Sequence, residues 1–552
     1  MAKRKYEFLS EVPEETKQKI SRYVTNVEGD TFVIHGLPPE MTGGLLARYS
    51  RAPTGLQLTL VNEFLDENDE PSQAKGTDLI NRVLNAFGDE SVGELEPIHV
   101  GIENISQIGT KFIEDRRIGG SPIEQSTRYV KYDKKDEQGK WRYLRPKEII
   151  RAGLLKKFER ANDRAFELYS SGIEKLSELF EKQFPRDEFA IEISNEKRKF
   201  KERELTSDEQ IRTFNNAYNF TIRCAALDVG RCVLPSSTLT HLGVLGNGRF
   251  FTNVLTYLKT NTLQEAKDRA EDLEAELNKI IPTYIKRNRV NENQKEVDRN
   301  MKEIAKMFDS IAPKTDKVTL VLRADLINEL VSSALFPYTN ISLQQILNEV
   351  EKMSLEKKKE ILHACKGERC SRRDRTGRGL EAGYPITFDL VGCFAEYRDL
   401  QRHRMLTQQR QNLTAELGFI IPPEMIEVGL EKEINEVESM MRDLNADIKH
   451  AGQYEASQYA TLFNHKMRFM LGMNFREFQH LSELRTQPAG HFSYRSMVME
   501  MADKVKARYP WSEELFEFVD YSDPGNKISR AKEQSRIAGK NLSAKIDGSI
   551  DL

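Results

Sequence analysis

At 552 residues the chain is longer than a single hydrophobic core ordinarily serves, so two or more domains are expected. Apolar residues make up 39% and charged residues 31%, the balance of a helix-rich globular protein with a heavily charged surface. A net charge of −3, from 83 basic and 86 acidic residues, excludes a global basic field for nucleic acid and confines any anion site to a local cluster.

No apolar run approaches the ~20 residues a membrane helix needs, so no membrane partner is expected. The start, Met1-Ala2-Lys3-Arg4-Lys5-Tyr6-Glu7, turns acidic at once without an apolar signal core. Five scattered cysteines (Cys224, Cys232, Cys365, Cys370 and Cys393) fit a reduced, cytoplasmic setting. Cys365 and Cys370, with His363 nearby, lack the two-residue spacing of common zinc knuckles, and no metal is expected.

The first organised stretch is residues 98–103, where Ile98, Val100 and Ile102 alternate as on a half-buried strand. Residues 104–115 follow with Ile105, Ile108 and Phe112 on one helical face, ending in Arg116-Arg117. Ser126-Thr127-Arg128-Tyr129, taken alone, reads as an exposed strand. Residues 133–210 are charge-rich and are expected to be an insertion of surface helices and loops. Residues 263–280 have the pattern of a charged amphipathic helix, and 288–294 that of a polar connector. The strand-then-helix plan returns at 384–389 and 390–401 and ends in Arg402-His403-Arg404, which alone is no more than a cationic helix end. Residues 522–552 are polar with little periodicity, so a loosely held tail is expected.

With Arg116 aligned on Arg402, Ile98, Val100 and Ile102 fall on Tyr384, Ile386 and Phe388, a shared register that argues for internal duplication. An Asn-x-Arg follows in each half, Asn247-Gly248-Arg249 and Asn474-Phe475-Arg476. The distance from basic motif to Asn is 131 in the first half (247 − 116) and 72 in the second (474 − 402). The insertion at 133–210 accounts for the difference. The expected organisation is a first repeat over 1–285, a linker over 286–315, a second repeat over 316–522 and a polar tail over 523–552.

The stretch from Arg116 to Tyr129 resembles the signature R-H-R-x-x-S-x-N-E-x-S-x-R-Y of flavin-dependent (ThyX-type) thymidylate synthases. Arg116, Ser121, Glu124, Ser126, Arg128 and Tyr129 match it, while the histidine, the third basic residue and the asparagine are replaced. The second half opens the signature with Arg402-His403-Arg404 and Thr407, then loses it: Arg410 and Asn412 stand at the Glu and Ser positions, and Thr414-Ala415 replaces Arg-Tyr. Arg231, four residues before Pro235, matches a substrate-binding arginine of the family, and Arg485, eleven after Asn474, matches a second. The first half has Leu258 where Arg485 would fall, and the second has Gln458 where Arg231 would fall. A family histidine expected before the first strand is replaced within Gly88-Asp89-Glu90-Ser91.

The resemblance implies an α+β fold: two helix-rich repeats, each a twisted, mainly antiparallel sheet flanked by helices, forming a pseudodimer. It implies a substrate set of Ser121, Glu124, Ser126, Arg128, Tyr129, Arg231, Arg402 and Arg485, with Arg485 the catalytic donor to the pyrimidine carbonyl. It implies FAD contacts by Arg402, His403, Arg404, Asn247, Arg249, Asn253, Asn474 and Arg476. In the family, reduced FAD supplies hydride, methylenetetrahydrofolate the carbon, and NADPH the flavin's electrons, turning dUMP into dTMP. The complementary losses suggest one composite site per chain, built from both repeats, with a homodimer imitating the family's tetramer. No cysteine lies in a matched motif, which agrees with a route that has no thiolate nucleophile. Two alternatives stand beside this: a methylase or hydroxymethylase of another pyrimidine nucleotide such as UMP, and a catalytically silent nucleotide-binding homologue.

Overall fold

The computed structural model describes residues 6–50, 52–66, 68–72, 74–78, 90–95, 97–193, 198–321, 325–368, 378–516 and 518–546. Asp89 and Cys370 lie outside these. The architecture is α+β and helix-rich, with small sheets whose described pairings are antiparallel. Among the described residues no helix is long and apolar enough to cross a membrane.

One compact unit comprises Met1–Ile105, Gly109–Glu124 and Thr240–Glu292. In its sheet Leu239–Gly246 lies between Ile98–Ser106 and Gly120–Glu124, with Gly120 opposite Gly246 and Glu124 opposite Leu242. Met41, Leu45, Leu60, Val61 and Phe64 form a separate apolar cluster near the amino terminus.

The other unit comprises Ser106–Ile108, Gln125–Leu239 and Asn293–Leu552. Its four-stranded sheet runs Val318–Leu320, Ile386–Cys393, Lys466–Met473, Thr407–Arg410. Lys466–Met473 is buried at every position but the first, so both faces of this central strand are covered. Val331, Leu335, Ile346 and Ile361 pack in one cluster with Met470.

Both repeat strands run beyond their expected ends. The first continues to Ser106 rather than 103, and the second occupies Ile386–Cys393 rather than 384–389. The reason is common to both: Ile105 and Ser106, and Leu390 to Cys393, are all buried, so the apolar–polar alternation that marks a strand disappears where it enters the core.

The duplication extends further than the two matched motifs. Leu239–Gly246 and Lys466–Met473 each end at an asparagine that caps the next helix, Asn247 accepting from Phe250 N–H at 2.8 Å and Asn474 from Glu477 N–H at 3.0 Å. These caps are 227 positions apart (474 − 247). The helices Lys147–Arg151 and Leu155–Gln183 also have counterparts, Pro423–Glu427 and Glu431–His450, at an offset of 276 (431 − 155). Pro146 and Pro422 precede them, and Gly153 and Gly429 turn between them with φ of +73° and +74°. Of the 59 extra residues (131 − 72), 49 (276 − 227) therefore lie after the start of the long helix and ten (286 − 276) before it, and the expected insertion at 133–210 contains part of the repeat. Nor is that segment merely superficial, since Phe158, Phe166, Ile173 and Phe180 of the Leu155–Gln183 helix are buried.

Equivalent residues meet each other within this unit. Pro235 forms a bridge with Leu462, its own counterpart (462 − 235 = 227). Ser236 N–H donates to Thr461 O at 2.8 Å, and Phe463 N–H to Leu234 O at 2.9 Å. Exchanging the repeats turns one bond into the other, as in the self-complementary contact of a two-fold dimer.

Two sequence expectations are corrected. The segment 286–315 carries the helix Glu292–Ala305, whose Val297 and Met301 join the core cluster. The polar tail is not loosely held: Arg530–Ile546 is a helix with Ala531, Ala538 and Leu542 buried, because short apolar side chains amid many charges still form one packing face.

Candidate functional site

Ser126 to Tyr129 is a turn rather than a strand: Ser126 Oγ accepts from Arg128 N–H at 3.2 Å, and Ser126 O accepts from Tyr129 N–H at 3.2 Å. The turn aims Arg128 inward. Its Nε and Nη2 donate to the two oxygens of Asp228 at 2.8 and 2.9 Å, and Nη2 also reaches Ala489 O at 3.3 Å. Burial works against the Asp228 carboxylate, but Arg128, His491 and Arg231 outweigh it and hold the carboxyl well below the usual range.

Arg231, just past the helix Asp208–Gly230, is almost wholly buried. Its Nη1 donates to Thr127 Oγ1 at 3.3 Å, which also accepts from Arg398 Nη1 at 3.1 Å. Arg231 Nη2 lies 3.6 Å from Asp399 Oδ2, an ion pair longer than a hydrogen bond. Arg231 Nε and Nη2 and Asp399 Oδ2 are buried without hydrogen-bond partners. His491 is buried beside them, its Nε2 3.0 Å from Asp228 O and its Nδ1 2.8 Å from Ser493 Oγ. Nε2 facing a carbonyl must carry the proton there. Burial and Arg231 push its pKa down to about 3, so the ring is neutral.

A second group adjoins the first. Arg485 Nε donates to His403 Nε2 at 3.0 Å, and His403 Nδ1 lies 2.8 Å from Glu477 Oε1. The pattern fixes one tautomer, with the proton on Nδ1 and a lone pair on Nε2. Burial lowers the His403 pKa even against the pull of Glu477. Arg485 also stands 5.9 Å from the Tyr494 ring centroid. The two groups meet at Asp399: burial raises its pKa, but Arg231, Arg128, Arg485 and His491 together hold it down.

Of the other candidates, Arg402, Arg404 and Arg476 are exposed beside this cluster's elements, and Asn474 is committed through Oδ1 to its helix cap. Tyr129 is exposed, with Arg530 of the tail helix 5.1 Å from its ring centroid. The remaining five belong to the other compact unit. Ser121 lies in the Gly120–Glu124 strand, and Glu124 is buried against Lys111 Nζ at 3.1 Å. Asn247 is a helix cap, Arg249 is paired with Glu94, and Asn253 is exposed on the helix Gly248–Thr260.

Sequence reasoning missed Asp228, Arg398, Asp399 and His491. Spacing gave no usable signal: Asp228 and Asp399 each stand three residues before an arginine, Arg231 and Arg402, but Asp228 bonds Arg128 and Asp399 faces Arg231. Among the described residues no group of His, Cys, Asp and Glu is arranged to hold a metal.

A family model described as thymidylate synthase complementing protein matches residues 45–283 and 380–511. A UPF0159 protein of Chlamydia muridarum is 34% identical over 545 residues, covering 95% of this chain and 98% of its own length. A UPF0159 protein of Thermoplasma acidophilum is 30% identical over 510 residues, covering 90% and 99%. Among solved structures, a UMP/dUMP methylase from Streptomyces cacaoi bound with 5-Br dUMP matches at 17% identity and a TM-score of 0.27, over 45% of this chain and 89% of that one. Matched by one family model in both of its repeats, the chain belongs to the thymidylate synthase complementing protein family, as a duplicated member.

Proposed function

We propose that the chain is a flavin-dependent methylase that converts dUMP to dTMP at one composite site per chain. The observation that carries the reading is that Arg231 of the first repeat lies 3.6 Å from Asp399 of the second, and that Arg128 and Arg485, the latter bonded to His403, act on the same carboxylate. Guanidinium groups grip a phosphate through paired, charge-assisted hydrogen bonds, and two buried nitrogens of Arg231, Nε and Nη2, lack hydrogen-bond partners. Arg485 is held through Nε by the lone pair of His403, which leaves its terminal nitrogens for a pyrimidine carbonyl. A donor fixed in this way stabilises the negative charge that develops on the ring as C5 is alkylated, an effect worth about 3 kcal/mol for a single donor. Glu477 orients His403, and so Arg485, through one hydrogen bond.

The residues fit FAD best on the second repeat. Arg402 and Arg476 are exposed and without ion-pair partners among the described residues, a donor set suited to a diphosphate. In the first repeat Arg249 is already paired with Glu94. Bound FAD would supply hydride, with methylenetetrahydrofolate as carbon donor and NADPH as reductant. A catalytically silent nucleotide binder is the second reading, favoured by the occupation of Arg128 by Asp228. Absorbance of the purified protein near ~450 nm, followed by tritium release from C5-labelled dUMP with both co-substrates, separates the two. Colourless protein that binds dUMP and releases no tritium would overturn the enzyme reading.

A further inference from the structure

The family match ends at residue 511, yet the chain beyond it is bonded to the loop that follows Arg485. Asp520 N–H donates to Thr486 Oγ1 at 3.0 Å, Ser529 Oγ to Pro488 O at 2.7 Å, and Arg530 Nη2 to Ala489 O at 2.7 Å. Ala489 O is a shared acceptor, since Arg128 Nη2 also donates to it at 3.3 Å. The Arg530 guanidinium stands 5.1 Å from the ring centroid of Tyr129, the neighbour of Arg128 in its turn. Arg530 is only 6% exposed, and among the described residues no carboxylate pairs with it. A buried guanidinium ordinarily takes a carboxylate. Here a carbonyl and an aromatic face hold it instead, and they belong to different repeats: Tyr129 to the first, Ala489 to the second.

Resting on the nucleotide reading above, we infer that Arg530 is a positioning residue of the composite site, tying the Arg128 turn of one repeat to the loop after Arg485 of the other. A charge-assisted hydrogen bond fixes the loop end, and attraction to the ring face holds the turn end. Arg530 acts through Arg128, because both guanidinium groups share the Ala489 carbonyl. The tail thus supplies a joint that neither repeat contains.

The test is dUMP titration of the full-length protein, well below the melting temperature of each variant. Arg530→Met should weaken binding about tenfold, and Arg530→Lys, which keeps a cation able to reach both partners, should stay within about threefold of wild type. In an Arg128→Lys background the loss from Arg530→Met should shrink below about threefold, because the residue it acts through is already changed. Should Arg530→Met fail to fold, Arg530→Gln takes its place: it can donate to Ala489 O but carries no charge for the ring, and should cost about threefold. Hydrogen exchange without ligand supplies a second readout, with Arg530→Met speeding exchange in both 125–131 and 486–491. A purely structural tail would lower the melting temperature and leave dUMP affinity alone; affinity within about twofold of wild type, or the same loss in the Arg128→Lys background, would overturn the inference. Wild type that binds no dUMP would overturn the nucleotide reading instead, and exchange unchanged in either segment would still overturn the joint.

Discussion

Arg128 and Asp228 make two hydrogen bonds with side chains only 10% and 11% exposed, a setting in which losing one partner matters more than losing both. Asp228→Ala leaves a buried guanidinium uncompensated and should destabilise the fold by about 3–5 kcal/mol in urea unfolding. The double change Arg128→Met, Asp228→Leu should recover most of that loss; a loss below ~1 kcal/mol for the single change would show the pair to be solvated. His491 gives a pH prediction with a definite sign. Its folded pKa of about 3 lies below the unfolded value near 6.5, so between these values the unfolded chain binds a proton that the folded chain refuses. Stability therefore falls as pH drops from about 6.5, at up to ~1.4 kcal/mol per unit from this group. Asp228 and Asp399, with lowered pKa values, add losses only below about pH 4, while His403 and His465 titrate in the same direction as His491. The check is thus the difference between wild type and His491→Gln across pH 4.5–6.5: the slope should be shallower in the variant, and parallel curves would contradict the assignment.

At the scale of elements, Gly153 and Gly429 make the same turn before the two long helices, at φ of +73° and +74° with no atom within 4 Å of an added Cβ. Alanine at either position should therefore cost only backbone strain, about 1–2 kcal/mol, and nearly the same at both. Unequal losses in thermal or denaturant unfolding would mean that the turns are not equivalent. This pair also shows what could be read from the chain. The paired Asn-x-Arg motifs and the cations after each first helix were visible because short polar motifs sit at fixed distances from apolar patterns. Pro-x-Glu-x-Ile-x-x-Gly-Leu, at 146–154 and again at 422–430, was equally legible and went unread because charge-rich flanks disguised it as an insertion. The strand ends were not legible, because Leu390 to Cys393 are all buried and leave no alternation to follow. In the sequence nothing distinguishes Asp228 and Asp399 from ordinary charges on a solvated helix, and only the fold turns them toward arginines.

At the scale of the whole molecule, duplication would let the proposed composite site lose half its residues in each repeat and remain whole. Free copies that assemble must each keep every residue, whereas covalently joined copies can divide the labour. The Pro235–Leu462 bridge is where the joined copies meet as equivalents. A homodimer imitating the family's tetramer remains our proposal, and light scattering of the eluted protein should give twice the 63.6 kDa chain mass, a monomer contradicting it. The central claim is that Arg128 and Arg485 serve one ligand. It is tested by dUMP titration of Arg128→Lys, Arg485→Lys and the double variant, each checked for retained folding. A shared ligand predicts that both single changes weaken binding and that the double change departs from their sum by at least ~0.5 kcal/mol. Losses that add within ~0.3 kcal/mol, or a single change that leaves affinity untouched, would contradict it.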